Sequence, residues 1–156
     1  MHTIHDANDA RRLLIQASEH LNPSAQLTET DPSSWWIEFD SGDGFQVEWC
    51  AERSRLVLTA ALGVPPAERE IAALNLALSY NALWRDIGDL RVARDGEEGE
   101  LMLIGELGPD DGEPETFRAA LQHFESLQRW WSEAIAHTGD PDSAAPFDHA
   151  LLLGRI

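Results

Sequence analysis

The chain has 156 residues and a formal net charge of −17, yet 43% of it is hydrophobic and it carries six Trp. That charge argues against nucleic acid and anionic membrane as partners, because both are polyanions, and the aromatic content argues against an acidic disordered tail. A single Cys excludes an internal disulfide and a C-x-x-C pair, and no apolar run approaches the ~18 residues of a membrane span.

Residues 1–8 are polar, and Met1-His-Thr-Ile-His-Asp6 lacks the basic-then-apolar order of a cleaved signal, so the expected location is cytoplasmic. Asn8 or Asp9 is suited to cap a first helix, in which Ala10, Leu13, Leu14, Ala17 and Leu21 fall at helical spacing. Asn22-Pro23 stops it. From Trp35 the period changes to two: Trp35, Ile37 and Phe39 alternate with Trp36, Glu38 and Asp40. Ser41-Gly-Asp-Gly44 then reads as a hairpin turn. Phe45, Val47 and Trp49 form the return strand. After a turn at 51–54, a third strand sets Leu56, Leu58, Ala60 and Leu62 against Val57, Thr59 and Ala61. Three short strands with short turns predict an antiparallel meander.

Gly63-Val-Pro-Pro66 ends the meander, and Pro suits the first turn of the helix that follows. Ile71, Leu74, Leu78 and Ala82 make one stripe on that helix; Leu76, Leu83 and Trp84 widen it beyond what one flank of a small domain needs. Leu90 and Val92 open a strand, residues 95–99 turn it, and Leu101, Leu103 and Leu107 return it. An acidic loop over 108–114 leads to a long helix from about Glu115. There Phe117, Leu121, Phe124, Leu127, Trp131 and Ile135 share one face, and Arg118, Gln122, Glu125 and Arg129 are expected to point away. Residues 138–143 break it. The predicted fold is α+β, in the order α-β-β-β-α-β-β-α, with a five-stranded antiparallel sheet and three helices. Residues 1–137 form the domain and 138–156 a linker with an apolar tail.

That order, with the residues at its joints, resembles the chaperones of bacterial type III secretion. The matching segments are Phe39-Asp-Ser-Gly-Asp-Gly-Phe45 at the first turn and Leu58-Thr-Ala-Ala-Leu-Gly-Val-Pro65 leading into the second helix. Tyr80-Asn-Ala-Leu-Trp84 ends that helix, the strands from Gly88 to Leu107 flank an acidic turn, and Arg129-Trp-Trp131 lies late in the last helix. The resemblance spans roughly residues 8–136; the Trp-rich first strands and the length resemble the broad-specificity effector chaperones of plant-pathogenic bacteria. It implies a homodimer that binds N-terminal segments of secreted effector proteins, keeps them secretion-competent and delivers them to the secretion ATPase. No cofactor and no catalysis of its own are implied.

Client binding is assigned to Leu13, Leu14 and Ala17, whose region borders client pockets in that family, and to Trp36 and Val57 on the wetter parity of the strands. Trp36 is either tucked under a loop or exposed to a ligand, and an extended client is expected to add as a strand. Ile71, Leu74, Leu78, Leu90 and Val92 are either the dimer contact, by resemblance, or intramolecular core. Phe147, Leu151, Leu152 and Leu153 form a tail that docks on its own subunit or on a partner, or else frays. His2 and His5 lack the further ligands a zinc site needs, Cys50 has no base partner in a local motif, and the acidic loop lacks EF-hand spacing. No Gly-x-Ser-x-Gly elbow or phosphate-binding Gly-Lys loop occurs. The alternative function is a regulatory or scaffold module with one dedicated folded partner.

Overall fold

The computed structural model describes residues 3–137. Asp6 is the residue that caps the first helix, α1 (Ala7–Ser18), accepting from the backbone N–H of Asn8 at 2.8 Å and of Asp9 at 2.9 Å. The Asp6 carboxylate satisfies two N–H groups that the helix itself leaves unpaired. α1 buries Ala10, Leu14 and Ala17.

Six strands follow from the remaining pattern: β1 (Ala25–Asp31), β2 (Ser34–Phe39), β3 (Gly44–Cys50), β4 (Arg55–Gly63), β5 (Arg91–Arg94) and β6 (Leu101–Leu107). They form one sheet in the order β1-β2-β3-β4-β6-β5, every pairing antiparallel. The meander read from the sequence is β2-β3-β4, with Trp35 opposite Val47 and Val47 opposite Leu58. Its inward residues Trp35, Ile37, Phe39, Phe45, Val47, Trp49, Leu56 and Leu58 are all buried. The turn between β2 and β3 uses Gly42 at φ +89°, a conformation that Gly adopts without a Cβ penalty.

Between β4 and β5 lie a 3₁₀ turn (Ala67–Arg69), α2 (Glu70–Asn81) and a short α3 (Trp84–Ile87), which Gly88 ends at φ +67°. A second 3₁₀ turn (Pro109–Asp111) precedes α4 (Pro114–His137). α1 and α4 pack together on one face of the sheet, α4 over β4, while α2 packs beside β5. The α4 stripe from Phe117 to Ile135 is buried as its spacing predicts. Edge-on ring contacts knit it to the sheet and to α2: Phe45 with Phe124 at 4.9 Å and Tyr80 with Trp131 at 5.1 Å between centroids.

Besides the cap, which is Asp6 and not Asn8 or Asp9, three expectations need correction. The sheet has six strands, not five, because Ala25–Asp31 adds an edge strand beside β2. There are four α-helices, not three, because the chain leaves helical geometry at Leu83 (φ −84°, ψ 21°) before α3 begins. Glu125 does not face away from the core; it is buried with Gln128 where α4 crosses the tip of the β2–β3 turn. There the Gln128 Nε2 donates to the carbonyl of Gly44 at 2.8 Å, fixing the helix to the turn.

Candidate functional site

The first region of interest lies at the β1 end of the sheet. α1 crosses beside β1, and the Arg11 Nε donates to the Glu29 Oε2 at 2.7 Å across the gap. Below that ion pair, Arg11, Ile15, Leu27, Glu29 and Trp35 line a small recess of about 150 Å³. Ile15 is 41% exposed, an apolar side chain on the otherwise polar side of α1. Trp35 forms a buried wall whose Nε1–H has no hydrogen-bond partner. β1 is terminal in the sheet, so among the described residues no strand pairs with its outer edge beside this recess.

The opposite edge is treated differently. β5 is the other terminal strand, but its outward-facing groups at Val92 are occupied: the Asn81 Nδ2 donates to the Val92 carbonyl at 2.9 Å, and the Val92 N–H donates to the Asn81 Oδ1 at 2.9 Å. A side-chain amide thus stands where a neighbouring strand's peptide would.

The second region is the sheet face that α1 and α4 leave bare. Register aligns Thr28, Trp36, Gln46, Thr59, Ile104 and Arg91 across all six strands. Trp36 is 37% exposed and leans on Gly44, where an added Cβ would stand 2.6 Å from its ring and 2.6 Å from the Ile37 carbonyl. It is therefore neither loose in solvent nor covered by a loop. Val57, opposite Glu48 and Glu106, is half-buried on the same face. Glu106 is buried there because three arginines gather round it, Arg53 at 2.8 Å, Arg91 at 3.3 Å and Arg55 at 3.8 Å. A buried carboxylate needs such partners to offset its lost hydration.

The third region is the outward face of α2. The helix buries its small side, Ala73 and Ala77, together with Tyr80. Ile71 is 76% exposed, Leu78 68% and, beyond the helix, Trp84 61%.

The sequence-derived candidates distribute unevenly over these regions. Leu14 and Ala17 are buried on the inner side of α1; Leu13 is half-buried and lines a separate polar recess of about 460 Å³ with Thr3, His5, Asp9, Arg12, Gln16 and Pro114. In that recess the Asp9 carboxyl is held below its ordinary range, first by the backbone N–H of His5 and then by Arg12. Leu90 and Val92 are buried in the chain's own core, which leaves Ile71, Leu78 and the half-buried Leu74 as the surface part of the proposed dimer contact. Phe147, Leu151, Leu152 and Leu153 lie outside the described residues. Ile15 and Leu27 join the site only through the fold; the one signal in the sequence is an Ile set off the buried stripe of α1. Among the described residues, no three His, Cys, Asp or Glu side chains gather as a metal site, and no helix is long and apolar enough to cross a membrane.

Three solved structures share this architecture. The ExsC–ExsE complex matches with a TM-score of 0.64 at 23% identity, over 83% of this chain and 96% of the matched one. The HopA1–SchA chaperone–effector complex gives 0.63 at 19%, over 83% and 98%. YbjN from E. coli, a candidate transcription regulator, gives 0.55 at 18%, over 86% and 96%. Such likeness establishes a fold, and that spread of proteins shows that the fold alone does not fix function. No curated protein sequence matches the chain significantly. The family model of the Tir chaperone protein (CesT) family matches residues 12–131. The chain belongs to the Tir chaperone protein (CesT) family.

Proposed function

We propose that this protein is an ATP-independent type III secretion chaperone. It binds N-terminal segments of effector proteins in the cytoplasm, keeps them secretion-competent and hands them to the secretion ATPase. It acts as a homodimer through the outward face of α2. The observation that carries the reading is the contrast between the two sheet edges. The β1 edge, beside an apolar recess, pairs with no further strand among the described residues, whereas Asn81 occupies the β5 edge at Val92. An extended client requires this pairing of features, because backbone groups give it affinity and a side-chain pocket gives it register. Family membership supports the same reading.

The test is a titration of labelled synthetic effector N-terminal fragments against the wild type and Ile15→Glu. Ile15 is a surface residue, so the variant should keep its thermal stability while losing at least tenfold in fragment affinity. Failure of every fragment to bind, with a folded partner captured instead, would favour a scaffold module.

A further inference from the structure

The outward face of α2 carries more apolar surface than its own sheet covers. α2 packs inward through Ala73, Ala77 and Tyr80, with Leu74 and Leu76 partly buried, yet Ile71, Leu78 and Trp84 stay largely exposed, and residues 71–84 carry no charged side chain in a chain of net charge −17. An apolar patch of this kind on a protein surface signals something that covers it. We propose that in the unpaired protomer this cover is the chain's own segment 147–153, and that a second copy displaces it on dimerisation. The displacement rests on the homodimer proposed above; the seating does not.

Three observations select this occupant. First, the chain leaves α4 next to the patch. The Arg69 Nη1, just before α2, donates to the carbonyl of Ala136 at 2.8 Å, and His137 is the last residue of α4. Second, reach is ample. The nine residues 138–146 extend up to ~30 Å, while Ile71 and Leu78 are roughly 10 Å apart along the helix. Third, the chemistry matches. Phe147 and Leu151-Leu-Leu153 follow a stretch rich in Gly, Pro, Asp and Ser, and only Asp148 interrupts them with a charge. Tethering raises the effective concentration of such a segment to the millimolar range, so weak apolar contacts suffice within one chain. The recess beside α1 is the less accessible destination, because β1 lies at the far edge of the sheet from β5 and α2.

The test uses the full chain with Cys50→Ser, one Cys placed in the patch (Asn75→Cys, between Ile71 and Leu78) and one in the tail (Ala150→Cys). A control pairs Ala150→Cys with Thr28→Cys on β1. Disulfide formation is followed at nanomolar concentration on non-reducing gels and by mass. The patch pair should close within one chain at least tenfold faster than the control, and Leu151→Asp with Leu153→Asp should abolish that advantage. Equal rates, or a product of twice the chain mass, would overturn the seating. In the native-cysteine background, the same two Asp substitutions should lower the concentration needed for dimerisation about tenfold; unchanged or weaker dimerisation would overturn the displacement. A chain that stays monomeric at every concentration sinks the homodimer, and the crosslinking rate still decides the seating.

Discussion

Asn81 and Val92 exchange two hydrogen bonds of 2.9 Å, side-chain amide to backbone, and so close the outer edge of β5 at Val92 with the last residue of α2. The same contact holds α2 against the strand, where the helix buries Ala73, Ala77 and Tyr80. Asn81→Leu should leave the N–H and C=O of Val92 without partners at a cost of about 1–3 kcal/mol. Asn81→Asp should fall between, since its carboxylate keeps the acceptor and loses the donor. Urea midpoints of the three proteins give the order; a Leu variant as stable as wild type would refute the edge-closing role.

Trp36 and Trp49 separate binding from folding. Trp49 is buried in the sheet core, and Trp49→Ala should cost ~3–5 kcal/mol. Trp36 rests half-exposed against Gly44, so Trp36→Ala should cost much less stability and weaken the capture of effector fragments. Thermal melts beside fragment titrations decide it, and equal stability losses would place Trp36 in the core. Gly44→Ala should be worse than Trp36→Ala. Combining the two should not rescue it, because the added Cβ also meets the backbone oxygen of Ile37 at 2.6 Å.

The parts that could be read from sequence were those where burial and periodicity coincide. The meander from Trp35 to Leu62 and the α4 stripe have large apolar side chains at most inward positions, so the period names the face. β1 escaped because an edge strand covered on one side needs few inward apolar residues; Leu27 is its only large one, set among Gln26, Thr28 and Glu29. β1 supplies two of the five residues that line the recess, Leu27 and Glu29. On α2 the stripe is wider than its own sheet covers, as the spacing suggests: Ala73, Ala77 and Tyr80 are buried, Leu74 and Leu76 partly so, and Ile71 and Leu78 remain exposed. Glu125 is buried because α4 crosses a turn tip, where the Gln128 amide donates to the Gly44 carbonyl at 2.8 Å and the Glu125 carboxylate beside it pairs with Arg129 at 3.4 Å.

Light scattering at micromolar concentration should report about twice 17.3 kDa. Ile71→Asp with Leu78→Asp should bring it to the single-chain mass while the chain stays folded by circular dichroism, because both residues are largely exposed in the protomer; its melting temperature should lose the concentration dependence that a dimer confers. Loss of the folded signal together with the mass would assign these side chains a role inside the protomer. A wild type that is monomeric throughout would remove the dimer from the proposed function.

Glu125 carries a pH signature whose sign is fixed by its surroundings. Burial pushes its pKa up from the ordinary value of 4.5; Arg129, 3.4 Å away, pulls it down, and Asp43 on the facing turn pushes it up again. Between the ordinary value and the raised one, the folded chain holds a proton that the unfolded chain has already released. Stability contributed by this group is therefore present at low pH, declines as pH rises through that window and stays low above it. Glu125→Gln keeps the shape and removes the titration, so it should be more stable than wild type at neutral pH. Other carboxylates impose their own acid dependence on both proteins, which makes the difference between them the quantity to follow. Urea unfolding from pH 4.5 to 7.5 should show the variant's advantage growing with pH and then levelling. A difference that stays constant, or that shrinks as pH rises, would mean that Arg129 outweighs burial and that Glu125 is ionised in the fold throughout.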